Sequence, residues 1–382
     1  MTFMFLHLAF ASKFHAFCFE KSKALAPIAR HLRHWVMRSG IVGVALVTST
    51  LLHAEIVDFQ LAQPQAKSVF LAGEMTSWDA GKQAMQQGPD GVWRLSLDLP
   101  PGQWLYKFVV DGQWVHDPQG PDHDADGRGG RHSMVWVGKG PWSPLPRANG
   151  SQVVSSMVAS AAWGMPMKTN VYLPPNFQAG QSLPVLYLLH GSGVDADQWH
   201  KTGHIERYMD QLLASGEIKP FVVVMPSSEN IGYLAHSETH VMQELPSWLN
   251  ATFGIYPAPG ATAFGGMSMG GFGAVAMPIR HPEVSRFGYG LSAFFYPALL
   301  AHLRAPADAG VTLVLVTGKD DAVTASQAAF LDQFKANASQ IQASIEPGDH
   351  TWNFWSLRTA HMLKAVSAYF SKVMTPPASP KQ

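Results

Sequence analysis

The stretch Phe264-Gly265-Gly266-Met267-Ser268-Met269-Gly270-Gly271-Phe272 decides the fold of this chain. Within it, Gly266-x-Ser268-x-Gly270 has the spacing of a nucleophile elbow, a tight strand-to-helix turn that holds a serine in strained backbone geometry. Glycines flank the serine because the two backbones approach so closely that a Cβ would clash. The alternative is a Gly-rich loop that merely contains a serine. The elbow interpretation therefore depends on finding a base, an acid and an oxyanion donor in the right order.

Strand and helix patterns alternate on both sides of this stretch, from residue 151 to residue 374. Four apolar runs mark buried strands at residues 183–189, 221–225, 287–291 and 311–316, and a further strand is predicted at residues 341–345. Helical patterns lie at residues 204–214, 241–253, 270–280, 322–336 and 356–371. This alternation predicts a largely parallel sheet with helices on both faces.

Two turns after late strands carry the acid and the base that an elbow needs. Residues 317–321 read Thr-Gly-Lys-Asp-Asp, and residues 347–350 read Pro-Gly-Asp-His. The chain order Ser268, Asp321, His350 is that of the triad of an α/β-hydrolase, in which the histidine takes the serine proton and the acid orients the imidazole. Asp320 is the alternative acid. Asp349 is interpreted as a loop residue, because it cannot easily fold back onto the ring of its own neighbour.

The turn His190-Gly191-Ser192-Gly193 follows the first apolar run. A Gly-containing turn at the carboxyl end of a strand can offer a backbone N–H to an oxyanion, and we assign that role to Ser192. The N–H of Met269 is the second predicted donor. His190 stands directly at the strand end, so we interpret it as a residue that shapes the loop.

Other candidates are less specific. His236 and His240 have the spacing of a zinc-binding pair, but Ser237 stands where a zinc protease has Glu, so we predict no metal and no cofactor. Trp199 follows the oxyanion turn and Phe294 follows a strand near the elbow. Both are predicted to bind substrate, with packing in the core as the alternative.

These motifs together resemble a known esterase family. The matching segments run from about residue 171 to 370 and include Leu188-Leu189-His190-Gly191-Ser192-Gly193, Gly266-Met267-Ser268-Met269-Gly270-Gly271, Gly318-x-x-Asp321 and Gly348-x-His350-x-Trp352. The family includes carbohydrate esterase family 1, with feruloyl and acetyl-xylan esterases, siderophore trilactone esterases and S-formylglutathione hydrolases. The resemblance implies Asp321 rather than Asp320 as the acid, and it adds Trp352 to the predicted substrate-binding residues.

Residues 55–139 show an all-β pattern. Strands are predicted at residues 68–73, 92–99 and 104–110, the last closed by an Asp111-Gly112 turn, and short strands at this spacing predict a small sandwich.

This segment resembles the family-48 carbohydrate-binding module, an immunoglobulin-like domain of glycogen- and starch-active proteins. The resemblance is carried by residues 73–78, 90–93, 99–102, 106–114 and 116–118. It implies that Trp78, Lys107 and Trp114 contact a glucan, the indoles by stacking on sugar rings. The run Gly129-Gly130-Arg131-His132-Ser133 departs from the Asn that glucan binders tend to have. We therefore keep packing against the catalytic domain as the alternative role.

Asp122-x-Asp124-x-Asp126-Gly127 copies the first half of a calcium loop. The twelfth position is Ser133, so the bidentate Glu is absent and we predict an acidic, solvated turn rather than a metal site.

The N-terminal residues have a different composition from the rest. Basic residues precede an apolar run at residues 41–47, and small residues come before Glu55, which predicts a secretory signal peptide that starts at Met1 or Met37. The alternative is an N-terminal anchor helix that is never cleaved. Without residues 1–54 the chain has 21 basic and 26 acidic residues and lacks its only cysteine, Cys18. This composition gives no reason to expect a nucleic-acid partner, and it excludes disulfides.

We therefore predict an α/β-hydrolase with a mostly parallel central sheet, preceded by a small all-β immunoglobulin-like sandwich. The predicted boundaries are a leader and signal peptide at 1–54, the sandwich at 55–140, a linker or lead-in strand at 141–160, the hydrolase at 161–374 and a tail at 375–382. The predicted function is a periplasmic or secreted bacterial serine esterase with no membrane contact after signal cleavage. Its predicted substrate is a small-molecule or polysaccharide acyl ester of a carbohydrate, of the feruloyl or acetyl type. The alternatives are a siderophore trilactone esterase and a non-catalytic carbohydrate-binding protein.

Overall fold

The computed structural model describes residues 54–120, 122–125, 130–140, 142, 150–229, 233–295, 300 and 303–375. The predicted leader up to residue 53, the tail from residue 376, and Asp126 and Gly127 of the acidic motif lie outside these residues.

The N-terminal module is a β-sandwich of antiparallel strands. Its strands are β1 Glu55–Ala62, β2 Val69–Gly73, β3 Gln83–Ala84, β4 Gln86–Gln87, β5 Val92–Leu99, β6 Gly102–Val110, β7 Gln113–Val115, β8 Asp122–Ala125 and β9 Arg131–Val137. One sheet has the order β1-β5-β4 and the other β3-β2-β6-β9-β8, with β7 also paired to β6. Alternate side chains, including Phe59, Leu71 and Phe108, fill the core of this module. The predicted all-β domain is confirmed.

The hydrolase domain is built on an eight-stranded sheet. Its strands are β10 Gln152–Val158, β11 Met167–Leu173, β12 Val185–Leu189, β13 Val222–Pro226, β14 Thr262–Met267, β15 Phe287–Leu291, β16 Thr312–Gly318 and β17 Ile341–Glu346. The spatial order is β10-β11-β13-β12-β14-β15-β16-β17. Strands β12 to β17 pair in parallel, whereas β10 and β11 pair antiparallel at one edge. This confirms the predicted mostly parallel sheet.

Helices cover both faces of this sheet. They are α1 Ile205–Ala214, α2 His236–Thr239, α3 Leu245–Phe253, α4 Met269–Arg280, α5 Pro306–Ala309, α6 Thr324–Gln333 and α7 Trp352–Met374. Helix α7 begins four residues before the predicted start, because Thr351 caps it by accepting the N–H of Phe354 at 3.3 Å. The helix predicted at residues 322–336 ends early and is followed by the 3-10 segment Lys335–Gln340, since Phe334 and Asn337 leave helical geometry.

The structure shows a lead-in strand in the segment predicted as a linker or a lead-in strand. Residues 152–158, within this segment at 141–160, form strand β10 and pair along their whole length with β11. Val153 packs against the buried cluster on one face of the sheet and Val154 against the cluster on the other face, so this strand contributes to the core of the hydrolase. The hydrolase sheet therefore begins at Gln152, nine residues before the predicted boundary.

The two domains share a core. Leu105 and Met134 of the module belong to the same buried cluster as Trp199 and Trp352 of the hydrolase. A buried hydrogen bond also crosses the boundary, from Gln103 Nε2 to the carbonyl of Thr202 at 2.7 Å. The module is therefore packed against the hydrolase rather than tethered beside it.

Candidate active site

Ser268 occupies the turn between β14 and α4 with φ 53° and ψ −117°. Positive φ is uncommon for a residue with a side chain, and it is held here partly because the Ser268 N–H donates to the Leu291 carbonyl at 2.9 Å. A Cβ on Gly266 would overlap the Gly270 carbonyl, and a Cβ on Gly270 would overlap the Leu189 carbonyl. These are the constraints of a nucleophile elbow, and the half-buried serine projects from the carboxyl end of a central strand.

The structure brings Ser268, His350 and Asp321 together. His350 Nε2 lies 3.0 Å from Ser268 Oγ, and His350 Nδ1 lies 3.0 Å from both carboxylate oxygens of Asp321. A carboxylate can only accept, so Nδ1 carries the proton and Nε2 is left to accept from the serine hydroxyl. Asp320 is exposed and its N–H donates to the Gly348 carbonyl at 2.9 Å, so it plays no part in this chain of hydrogen bonds.

Charge coupling sets the protonation of this pair. Burial alone would lower the pKa of His350, but the charge and hydrogen bond of Asp321 outweigh it and raise that pKa above its ordinary value. Burial alone would raise the pKa of Asp321, yet His350 and hydrogen bonds from Ser292 and the Val323 N–H hold it below its ordinary value. The acid is therefore ionised at neutral pH, and its charge stabilises the imidazolium that forms when the serine proton is transferred.

Two residues that the sequence reasoning missed support the acid. Ser292 directly follows strand β15, and its hydroxyl donates to Asp321. The same hydroxyl accepts from Trp355 Nε1 at 3.0 Å. The Trp355 ring also stands edge-on to the His350 ring, with 5.0 Å between centroids. The signal for Ser292 in the sequence is its position directly after a central strand, which Ser268 and His190 share.

The oxyanion side of the site is formed by the turn after β12 and the start of α4. Met269 is the first residue of α4, and the first N–H groups of a helix have no acceptor within it. The N–H of Gly191 is bonded to Gln198 Oε1 at 2.8 Å, which leaves Ser192 as the next donor of the turn. A Cβ on Gly191 would lie 3.7 Å from Ser268 Cβ, so this turn is beside the serine.

His190 is locked in a structural role. Its Nε2 accepts the N–H of Ser228 at 2.9 Å, and its Nδ1 lies 2.7 Å from the Gly191 carbonyl, so the proton is on Nδ1. Burial lowers its pKa to about 4, which keeps it neutral. The backbone N–H of His190 also donates to the Tyr233 hydroxyl oxygen at 2.9 Å. His190 thus holds the oxyanion turn in shape.

The structure corrects two of the three predicted substrate contacts. Trp199 is 0% exposed and donates from Nε1 to the Leu189 carbonyl, and Trp352 is 4% exposed and packs edge-on against it. Both belong to the core behind the site, because the apolar cluster shared by the two domains encloses them. Phe294 is half-buried, and its N–H donates to the Ser268 carbonyl at 3.2 Å, which places it beside the elbow.

The three predicted glucan contacts of the module do not form one exposed surface. Trp78, Trp114 and His132 form a cluster that we call the aromatic face, with Trp78 6.3 Å from Trp114 and 4.8 Å from His132 between ring centroids. Trp114 is 46% exposed, whereas Trp78 packs against the shared core. Lys107 is only 7% exposed, so the structure does not present it for the glucan contact that the resemblance implies.

The remaining sequence motifs do not form a further site among the described residues. That part of the chain holds no group of three or more His, Cys, Asp or Glu side chains placed to bind a metal ion. His240 instead pairs with Glu244, at 2.7 Å between Nδ1 and Oε2. The backbone of Asp122 and Asp124 runs in strand β8 rather than in a turn. No helix described by the structure has the length and apolar character needed to cross a membrane.

The fold and the arrangement of the site are those of the α/β-hydrolase class. A family model described as "Putative esterase" matches residues 160–366, more than half of the chain, and the chain belongs to that family. A second model, described as the glycogen recognition site of AMP-activated protein kinase, matches residues 57–140.

Similar proteins agree with this assignment. The chain is 28% identical over 250 residues to an endo-1,4-beta-xylanase/feruloyl esterase of Xylanibacter ruminicola, an alignment that covers 60% of this chain and 34% of that protein. The chain thus spans about a third of the length of this curated relative.

Two solved structures share the fold. The enterobactin esterase of Shigella flexneri has a TM-score of 0.66 and 17% identity over 84% of this chain and 94% of that chain. A ferulic acid esterase has a TM-score of 0.53 and 24% identity over 58% of this chain and 99% of that chain.

Proposed function

We propose that this protein is an exported serine esterase that releases acyl groups, of the feruloyl or acetyl type, from carbohydrates. The observation that carries the proposal is the continuous hydrogen-bonded chain from Ser268 through His350 to Asp321, with the three residues beyond the carboxyl ends of β14, β17 and β16. Ligands of open α/β sheets bind at this edge.

The chemistry follows from the geometry. Ser268 Oγ attacks the ester carbonyl carbon while His350 Nε2 takes the hydroxyl proton, and the N–H groups of Met269 and Ser192 stabilise the oxyanion. His350 then gives the proton to the departing alkoxide, which leaves an acyl group on Ser268. A water molecule, deprotonated by His350, attacks this acyl-enzyme and releases the carboxylic acid.

Hydrolysis of p-nitrophenyl acetate by the wild type and by Ser268→Ala tests the reaction. The expected loss of kcat is at least about 10⁴-fold, because removal of the nucleophile leaves only binding and oxyanion stabilisation. Equal rates in the two proteins would end the assignment of the triad and favour a non-catalytic carbohydrate-binding protein.

Two findings support a carbohydrate ester as substrate. The curated relative described above is a xylanase/feruloyl esterase, and the N-terminal module matches a glycogen-recognition model. The exposed Trp114 of the aromatic face offers a ring on which a sugar can stack. Lys107 is buried, so glucan contact through this face rests on the aromatic side chains.

A siderophore trilactone is the second candidate substrate. The likeness to the enterobactin esterase extends over 84% of this chain, so it includes the N-terminal module as well as the hydrolase. Rates on methyl ferulate, acetylated xylan and a catecholate trilactone, each with Ser268→Ala as control, separate the two candidates. We expect the highest kcat/KM on methyl ferulate or acetylated xylan. A higher kcat/KM on the trilactone would instead identify a siderophore trilactone as the substrate.

Export is inferred from the basic flank and the apolar run that precede Glu55. N-terminal sequencing of protein recovered from the periplasm or the medium checks it. We expect a mature chain that begins near Glu55, and a start well before that residue would contradict the proposal.

A further inference from the structure

Glu74 belongs to the N-terminal module but reaches into the hydrolase. It starts a one-turn 3-10 helix, Glu74–Thr76, directly after strand β2. Thr76 Oγ1 fixes this turn by accepting the Gly73 N–H and donating to the Gly73 carbonyl, both at 3.0 Å. Glu74 is only 9% exposed, and its Oε2 accepts the N–H of Leu105 at 3.1 Å within its own module. The carboxylate therefore has a fixed position at the domain boundary.

The same carboxylate caps helix α7. Its Oε1 accepts the N–H of Trp352, and its Oε2 accepts the N–H of Asn353 at 3.3 Å. The next N–H, that of Phe354, is bonded to the Thr351 side chain. A helix leaves its first four N–H groups without internal acceptors, so two of the three satisfied here depend on a residue from the other domain. A negative charge at this end is also favoured by the helix dipole.

The capped turn is directly connected to His350. Only Thr351 separates His350 from the first residue of α7. On its other side the loop is tied to the hydrolase sheet, because the Lys319 N–H donates to the Glu346 carbonyl at 2.7 Å and the Asp320 N–H to the Gly348 carbonyl at 2.9 Å. The histidine is therefore held between one anchor in the hydrolase and one in the module.

The two acceptor oxygens of Glu74 are part of this anchor. Burial raises its pKa to about 8, and the N–H groups of Leu105, Trp352 and Asn353 act in the opposite direction. Both carboxyl oxygens accept N–H donors, so the anchor depends on two acceptor oxygens at this position. A glutamine in this position would direct its own N–H₂ group at one of those donors.

We propose that Glu74 is a positioning residue for His350, through which the N-terminal module sets the geometry of the catalytic histidine. The proposal rests on the function proposed for Ser268, His350 and Asp321. It assigns the module a role in the chemical step, apart from any role in binding carbohydrate.

The test compares Glu74→Gln, Glu74→Asp and the control Gln103→Leu in the full chain. Gln103→Leu removes a different buried hydrogen bond across the same domain boundary, the one to Thr202. kcat and KM are measured with p-nitrophenyl acetate, and active sites are counted by titration with a fluorophosphonate. The downfield proton resonance of His350 Nδ1–H, which reports its hydrogen bond to Asp321, is recorded for each protein.

We expect Glu74→Gln to lower kcat per active site about 10- to 100-fold with KM changed less than about 2-fold, because misplacing a catalytic group by an ångström costs up to about 10²-fold. The resonance of His350 should shift or broaden. Glu74→Asp keeps two acceptor oxygens and should retain more of kcat than Glu74→Gln, which packing alone would not produce. Gln103→Leu should keep both kcat and the resonance.

Wild-type kcat and resonance in Glu74→Gln, or equal losses in Gln103→Leu, would overturn the proposal. Failure of the proposed function is distinguishable, because a wild type without esterase activity would still show whether the His350 resonance depends on Glu74.

Discussion

The carboxyl edge of the hydrolase sheet and the aromatic face of the module differ in how far the fold arranges their side chains in advance. At the sheet edge, Asp321 accepts hydrogen bonds from His350, Ser292 and Val323, and each partner is held in turn. On the aromatic face, Trp114 is 46% exposed and lies tilted against Trp78. Catalysis needs side chains that are fixed in advance, whereas stacking of a sugar on an aromatic ring does not. Single substitutions should therefore have large effects at the edge and small ones on the face.

The largest effect should come from Asp321→Asn. An amide in place of the carboxylate favours the wrong tautomer of His350, and we expect kcat to fall about 10⁴-fold. Asp320→Asn is the matched control, since Asp320 is exposed one residue away and should keep kcat within about 2-fold. Equal losses in the two variants would show that the sheet edge is not organised around Asp321.

The pH profile of the wild type tests the same pair. The imidazole of His350 must be neutral to take the serine proton, so kcat/KM rises with pH through the pKa of His350. Asp321 raises that pKa above its ordinary value of 6.5, and the acid limb should therefore lie above pH 6.5. An acid limb below pH 6 would contradict the coupling.

His190 extends the comparison to stability. Its pKa is about 4 in the folded protein and 6.5 ordinarily, so below pH 6.5 the unfolded chain binds a proton that the folded chain does not. The contribution of neutral His190 to the free energy of unfolding is present above pH 6.5. It is lost as the pH falls, by about 2 kcal/mol between pH 7 and pH 5. Urea unfolding at both pH values should show this loss in the wild type, and His190→Gln should show a smaller one. The same pH dependence in both proteins would exclude His190 as its cause.

Ser292→Ala should have an intermediate effect on activity. It removes a hydrogen bond to the charged acid, which is worth about 1.5 kcal/mol or about 10-fold in kcat. Ser285→Ala is the control, because Ser285 is equally buried but bonds to the Phe287 carbonyl at the opposite end of β15. The idea fails if both alanine variants lower kcat alike.

The smallest effect on catalysis should come from Trp114→Ala. We expect unchanged hydrolysis of p-nitrophenyl acetate, a change in unfolding free energy below about 0.5 kcal/mol, and weaker retention on immobilised glucan. Tyr256→Ala, which removes an aromatic side chain 53% exposed on the hydrolase, should not change retention. Retention that is the same in all three proteins would leave the aromatic face without a role in sugar binding.

The fold and the order of the triad could be predicted because each depends on local patterns. The elbow needs only residues 264–272, and the acid and base each follow a recognisable strand. Burial of Trp199 and Trp352 could not be predicted, since adjacency to a site motif does not say which way a side chain points. The role of Ser292 depends on Trp355 and Asp321, and that of Glu74 on residues 278 positions away, so both require the assembled tertiary structure.

The core shared by the two domains also limits how the two domains can be exchanged during evolution. Leu105 and Met134 pack in one cluster with Trp199 and Trp352, and Gln103 bonds across the boundary to Thr202. A recombination event that exchanged the module for another sandwich would leave indole rings facing water and a backbone carbonyl without its donor. Successful shuffling would therefore have to carry matching changes on both sides, so the two halves should evolve as a single unit rather than as interchangeable parts.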